Sequence, residues 1–227
     1  KNFIILPTYN EKENISPLVS EIFSLIPEIN ILVVDDNSPD GTAGEVENLI
    51  EKYPNLSLLK RPGKNGLGGA YIAGFKKLLA EPDVGKIFMM DADFSHNPKY
   101  LPEMIEESKN RGLVIGSRYM KGGGIEKWEL WRRMLSYFGN FYVRIVLRKG
   151  VSDWTTGYNC VDAGVLRKVN LDKIDLSGYA FIMGLKYFLI KAGAAVKEIP
   201  IIFEARRAGK SKMSPNIIRE GILAPWK

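Results

Sequence analysis

Short apolar runs alternate with amphipathic stretches through the first half of the chain. Residues 2–6 predict a strand broken by Pro7, and apolar positions at helical spacing predict a helix from about Asn14 to Ile26. The unit then repeats, with a strand over residues 31–35, a turn through Asn37, Pro39 and Gly41, and a helix over 42–53. Leu56 to Lys60 predict a third strand, after which the glycine-rich loop 63–69 opens a helix reaching about Ala80. The run 86–90 reads as a buried strand, followed by a helix near 98–110 and a strand over 113–116. This alternation predicts an α/β fold: a mostly parallel, Rossmann-like sheet with helices on both faces, wound with right-handed crossovers. Ligands of such sheets sit beyond the carboxyl ends of the strands.

After Gly116 the rhythm changes. Glycines 122–124 precede an aromatic and basic stretch from Trp128 to Arg144, whose apolar residues recur at helical spacing. Adjacent arginines beside large apolar groups suit a helix lying in a membrane interface. Residues 161–169 and 181–193 predict two further helices, and 196–203 a strand that leads into a mobile basic loop over 204–213. The whole, residues 1–227, reads as one domain, with a nucleotide- and metal-binding half (1–116) and an acceptor-binding half (117–227).

Composition narrows the chemistry. A hydrophobic content of 45% suffices for a full core. One cysteine, Cys160, forms no internal disulfide, and one histidine, His96, excludes Ser-His-Asp, Cys-His and multi-histidine metal chemistry. No stretch reaches the ~18 uninterrupted apolar residues of a spanning helix, because Lys186 and Lys191 break the best candidate. The net charge of +6 divides unevenly: residues 1–110 hold 11 basic and 17 acidic side chains, residues 111–227 hold 21 and 9. An acidic half suited to a cation and a basic half suited to phosphate fit a sugar-nucleotide or phospholipid enzyme better than a nucleic-acid binder, whose bases would interleave with aromatics along one surface.

The apolar run 86–90 ends in Asp91 and Asp93. On an extended strand, side chains two apart point the same way about 6–7 Å from each other, so both carboxylates can converge on one hard cation; two acids after a strand also read as a solvated turn or a helix cap. Such ions take one or two carboxylates and fill the shell with water and substrate phosphate. Tyr9 can lie against a base, Asp36 can accept from base N–H groups, and Glu11 or Asp91 can hold ribose hydroxyls. Asp35 reads equally as a helix-capping acid. The loop at 63–69 fits neither phosphate-loop pattern and reads as a flexible turn against the substrate. His96 reads as fixing its own loop.

Seven motifs then fall in an order that resembles the dolichol-phosphate mannose synthases, inverting family-2 glycosyltransferases of the GT-A fold. They are Pro7-Thr-Tyr-Asn-Glu11, Val34-Asp-Asp36 with Ser38 to Thr42, Gly66-Leu-Gly68, Asp91 to His96, Gly116-Ser-Arg-Tyr119, Ser152-Asp153 and Gly209 to Lys212. The resemblance implies transfer of mannose from GDP-mannose to a polyprenyl phosphate such as dolichyl phosphate, with Mg2+ or Mn2+ at the carboxylate pair. It implies nucleotide contacts from Pro7, Tyr9, Glu11, Asp36, Asp91 and Ala92, and metal contacts from Asp91 and Asp93 with Ser95 beside them. It places the acceptor phosphate on Arg118, Arg132 and Ser136, and closes Arg206 and Lys212 over the donor diphosphate, with Arg207 competing for the role of Arg206. Asp93, Arg118, Arg132 and Asp153 form the catalytic set it implies, Asp153 as an orienting residue. Peripheral association with the cytoplasmic face of a membrane follows from the lipid acceptor, and a membrane-anchoring subunit stays open. Rival readings are a polyprenyl-phosphate glucosyltransferase using UDP-glucose, a sugar-nucleotide nucleotidyltransferase, and a non-catalytic binding module.

Overall fold

A computed structural model describes residues 1–64, 66–174, 178–204 and residue 225. The first half is built as its hydrophobic pattern predicts: β1 (Asn2–Thr8), α1 (Lys12–Leu25), β2 (Asn30–Asp35), α2 (Thr42–Lys52), β3 (Leu56–Lys60), α3 (Gly66–Leu79), β4 (Lys86–Met89), α4 (Leu101–Ser108) and β5 (Leu113–Ser117). The second half adds β6 (Gly124–Ile125), α5 (Leu130–Leu147), β7 (Asn159–Asp162), α6 (Ala163–Leu166), α7 (Gly178–Lys191), β8 (Val196–Pro200) and β9 (Ile202–Phe203). Seven strands form one sheet in the order β3-β2-β1-β4-β7-β5-β8, and β6 pairs with β9 in a separate two-stranded ribbon. All pairs are parallel except those of β7, which runs antiparallel between β4 and β5.

Alternation along the strands splits the core into two layers. Ile5, Leu32, Val34, Ile87, Met89 and Val161 face one side, where Tyr71 and Phe75 of α3 and Phe181 and Leu185 of α7 cover them. Ile4, Leu6, Ile31, Val33, Phe88 and Cys160 face the other, against Ile15, Leu18 and Ile22 of α1, Val46 of α2 and Met104 of α4. Apolar side chains on both faces are what a central parallel strand requires, so these strands read as unbroken apolar runs.

Three expectations are corrected. Pro7 does not end β1: by that point the strand has passed its last pairing with β4, Ile5 opposite Met89, and only β2 remains alongside. The proline's missing N–H therefore leaves no central ladder position open. The predicted helix over 161–169 is instead β7 followed by the single turn α6, which Asp162 caps by accepting from the Val165 N–H at 2.9 Å. Glycines 66, 68 and 69 belong to the start of α3 and not to a loop.

Candidate active site

Strand order reverses between β1 and β4, so the loops after these strands open onto one crevice. On one side of it, side chains stitch the β1–α1 and β2–α2 loops together. Asp35, fully buried, accepts from the Thr8 hydroxyl at 2.9 Å, the Ser38 hydroxyl at 2.6 Å and the Ser38 N–H at 2.9 Å, so it organises the turn and caps no helix. The Glu11 N–H donates to Thr42 Oγ1 at 3.0 Å, and Asn14 Nδ2 donates to Glu11 Oε2 at 2.9 Å. Asp36 pairs with Arg61, NH1 to Oδ1 at 2.5 Å. Lys64 Nζ stands 4.2 Å from the centroid of the Tyr9 ring. Arg61 and Lys64 are absent from the sequence-level site, although Arg61 follows the last residue of β3 and so falls at a strand's carboxyl end.

The carboxylate pair lies differently from the strand-based expectation. β4 stops at Met89, and Asp91 to His96 form a turn that reverses at Phe94, whose φ of 64° is unusual for a residue with a side chain. The two acids are therefore placed by this turn and not by the strand pleat. Asp91 keeps 30% of its side chain exposed, whereas Asp93 is buried and accepts at Oδ1 from the Ser95 N–H at 3.0 Å and the Ser95 hydroxyl at 2.5 Å. His96 fixes the turn: its Nδ1 accepts from the Asp91 N–H at 2.9 Å, and its ring stacks on Tyr158 at 4.9 Å. Burial holds the imidazole below its ordinary pKa against the pull of Asp91 and Asp93, so it is neutral with its proton on Nε2. Among the described residues no three or more His, Cys, Asp or Glu side chains gather as a metal cage. Two carboxylates, one open and one held rigid, nonetheless fit a hard cation that shares its shell with water and a diphosphate.

Across the crevice the turn 151–158 forms a hub. Asp153 is wholly buried and takes Arg118 in a fork, Nε to Oδ2 at 2.7 Å and NH2 to Oδ1 at 2.8 Å. It also accepts from the backbone N–H groups of Arg118 at 3.1 Å and Thr156 at 3.1 Å. Burial raises the Asp153 carboxyl, but Arg118 and these hydrogen bonds outweigh it and hold the group below its ordinary pKa. Glu198 of β8 accepts from the Ser152 N–H and hydroxyl, at 2.9 and 2.7 Å, and Asn140 of α5 binds the Trp154 N–H and the Thr155 hydroxyl at 2.8 Å each. Gly157 lets this turn approach the 91–96 turn, since a Cβ there would stand 3.2 Å from His96 Cε1 and 3.7 Å from Asp91 Oδ1.

Aromatic rings carry the other basic and polar groups on this side of the crevice. The Arg132 guanidinium lies 3.9 Å from the centroid of Trp128, and its buried Nε has no hydrogen-bond partner among the described residues. Ser136 accepts from the Tyr119 hydroxyl at 2.7 Å. Arg118 stands over Phe203 at 5.5 Å, and Phe203 packs edge-to-face against both His96 and Trp128, so one ring links the 91–96 turn to Arg118 and, through Trp128, to Arg132. Pro7 thus lies near the end of β1, and Tyr9, Glu11, Asp36, Asp91, Ala92, Asp93 and Ser95 follow β1, β2 and β4, while Arg118, Arg132, Ser136 and Asp153 lie on the β5, α5 and 151–158 side. Arg206, Arg207 and Lys212, with most of the predicted loop 204–213, lie outside the described residues.

A sheet that gathers acids at its switch point and bases opposite them has the GT-A architecture of nucleotide-dependent glycosyltransferases. A structure of glucosyl-3-phosphoglycerate synthase from Mycobacterium tuberculosis, in complex with Mn2+, UDP and phosphoglyceric acid, matches it with a TM-score of 0.68 at 16% identity. That match covers 99% of this chain and 76% of the other, and concerns the fold. The chain belongs to glycosyl transferase family 2, whose family model matches residues 3–174, and it is a glycosyltransferase. It is 40% identical over 219 residues to undecaprenyl-phosphate mannosyltransferase of Micrococcus luteus, covering 96% of this chain and 90% of that one. It is also 40% identical over 231 residues to polyprenol monophosphomannose synthase of Mycolicibacterium smegmatis, covering 100% and 86%. Dolichol-phosphate mannosyltransferase of Pyrococcus furiosus is 38% identical over 223 residues, covering 96% and 60%. The resemblance read from the seven motifs is borne out by these relatives.

Proposed function

We propose that the protein transfers mannose from GDP-mannose to a polyprenyl phosphate, with inversion, at the membrane surface. One observation carries the acceptor assignment: α5 bears Arg132 and Ser136, joined to Arg118 through the rings of Phe203, Trp128 and Tyr119, and, along its exposed side, an apolar stripe of Trp131, Met134, Phe138, Phe141 and Ile145. A phosphate grip at the root of a lipid-compatible helix suits an acceptor that is an anion on a hydrocarbon chain. The mannosyl relatives support the donor sugar.

In this reading Asp36, paired with Arg61, faces the base, Tyr9 and Glu11 hold the nucleoside, and Asp91 with Asp93 hold Mg2+ or Mn2+. When bound, the divalent ion neutralises charge on the diphosphate leaving group. Ser95 serves by orienting Asp93, to which its hydroxyl is turned. Arg118, Arg132 and Ser136 hold the acceptor phosphate for attack on the anomeric carbon, while Asp153 orients Arg118. Pro7 and Ala92 supply backbone at the crevice, and Arg206 and Lys212 are assigned to the donor diphosphate from sequence. Residues 1–116 thereby form the donor half and 117–227 the acceptor half.

Incubation with labelled GDP-mannose, Mn2+ and a short polyprenyl phosphate, followed by extraction into organic solvent, tests the assignment. Label should enter the organic phase only with all three present. Label transferred from UDP-glucose and not from GDP-mannose would establish the glucosyl alternative.

A further inference from the structure

A lysine lies inside the core of this protein. Lys186 is 1% exposed, on a helix whose Ile182, Leu185 and Leu189 are core residues. Among the described residues it has no carboxylate within ion-pair distance; its Nζ donates to the main-chain oxygens of Asp153, at 2.8 Å, and Thr156, at 3.0 Å. Burying an amine is costly, and methionine would fill similar volume without that cost. The cost is spent on one turn. The carbonyls that Lys186 ties belong to the segment whose Asp153 carboxylate forks Arg118 and whose Thr155 hydroxyl accepts from Arg118 NH2 at 2.7 Å.

Resting on the acceptor-phosphate reading above, we propose that Lys186 is a positioning residue for the acceptor: from inside the core it holds the 153–156 turn that fixes Arg118. Both faces of the turn are then anchored, the backbone N–H groups by the Asp153 carboxylate and the carbonyls by the lysine. Without the lysine, the Asp153 carbonyl loses its donor and the Thr156 carbonyl keeps only Asn159 Nδ2, at 3.0 Å, so the turn must shift to recover the lost bonds. Arg118 shifts with it, whereas the donor loops after β1 and β2 are tied by side chains of their own.

The charge on Lys186 supplies a second readout. Burial pushes its amine down to about 7; Asp153 and Glu198 pull it upward, and Arg118 pushes it further down. An amine that has lost its proton keeps two N–H donors for the two carbonyls, so the turn holds while one positive charge near Arg118 disappears. A phosphate monoester, with its second pKa of about 6, is already dianionic over this range. The only imidazole, His96, is already neutral. Affinity for a prenyl phosphate should therefore weaken as pH rises from about 7 to about 8.5.

Isothermal titration of farnesyl phosphate into wild type and Lys186→Met tests this, with GDP plus Mn2+ titrated into the same samples as the donor-side control. We expect farnesyl phosphate to bind the variant about tenfold more weakly or worse, the size of effect an outer-shell partner commonly has. GDP affinity should stay within twofold. Wild-type affinity for farnesyl phosphate should fall severalfold between about pH 7 and about pH 8.5, and that of the variant should not. Lys186→Gln, which keeps two amide protons on a shorter stem, should lie between the two proteins. Farnesyl phosphate bound by Lys186→Met within twofold of wild type overturns the proposal, as does an equal loss of GDP affinity. Where neither variant folds, a wild-type affinity that is flat across that pH range overturns it. A wild type that binds farnesyl phosphate but transfers no mannose to it sinks the mannosyl reading and leaves this inference standing; one that does not bind it sinks both.

Discussion

Asp91 and Asp93 stand two residues apart and have opposite surroundings, one open to the crevice and one buried against Ser95. Because the Asp93 carboxylate is buried, the fold of Asp93→Asn depends on what its Ser95 contacts keep. An asparagine oxygen at the same position still accepts from the Ser95 N–H and hydroxyl, and that is what should preserve the turn. The substitution should leave thermal stability nearly unchanged. It should weaken Mn2+-dependent binding of GDP by at least about tenfold, because even outer-shell partners of metals are commonly worth that much. Calorimetric titration of GDP with and without Mn2+ decides it, and an unaltered metal dependence removes Asp93 from the metal site. Asp153 offers a stability test of opposite character. Removing one partner of a buried pair typically costs about 3–5 kcal/mol, so Asp153→Ala should lower stability by that order in urea unfolding at neutral pH. Its folded pKa is held below the ordinary value of about 3.9. The unfolded chain therefore takes up the proton first, and the contribution is full above about pH 4 and lost as pH falls through the depressed folded pKa. The difference between wild type and variant should shrink only in that acid range; a gap that closes between about pH 5 and 7 would contradict the pairing.

Among the elements, α5 is the one whose exposed side asks for a partner. Asn140 and Val143 face inward, while Leu130, Trp131, Met134, Tyr137, Phe138, Phe141 and Ile145 are exposed, with the exposed bases Arg133, Arg144, Arg148 and Lys149 around them. No described helix is long and apolar enough to cross a membrane, so contact with a bilayer through this helix would be interfacial. Sedimentation with vesicles should show binding that rises with anionic lipid, each base near the surface adding about 1 kcal/mol, and that falls with salt. Trp131→Ser with Phe138→Ser should reduce binding by at least about tenfold, since each buried side chain is worth roughly 1.5–3 kcal/mol. Equal partitioning of wild type onto neutral and anionic vesicles at every ionic strength counts against the electrostatic part. The helix was legible in the sequence because its apolar residues recur at helical spacing over 18 residues. β7 was not, because four residues carry no decisive period, and its pairing with both β4 and β5 is a long-range fact. The site divides in the same way. Asp91, Asp93, Arg118 and Asp153 were legible as motif positions, but the clasp between Arg118 and Asp153 was not. Lys186 was visible only as an interruption of an apolar run, because its carbonyl partners lie some thirty residues away in the chain.

For the whole molecule, the opposed charges of the two halves suit a reaction between two anions. The acidic half holds the carboxylate pair, and the basic half holds Arg118 and Arg132. Such a reaction needs no protein base: a hydroxyl acceptor must be deprotonated, but a polyprenyl phosphate arrives ionised, with a second pKa of about 6. The fold is consistent with this economy. His96 is spent on holding the Asp91 turn, and Asp153, wholly buried and forked by Arg118, has its pKa pushed away from the range where a base operates near neutrality. At saturating acceptor, where the Lys186 effect on affinity drops out, single-turnover transfer should climb through the phosphate's own ionisation and then stay level. Asp153→Asn keeps the oxygen that accepts from the turn and loses the charge that steadies Arg118. It should therefore weaken acceptor binding more than it slows the chemical step, and leave the shape of the pH profile unchanged between about pH 5.5 and 8.5, a range that brackets that pKa. If the variant folds, binds both substrates and yet loses on the order of 10³ or more in the chemical step at every pH, proton acceptance by Asp153 becomes the better account.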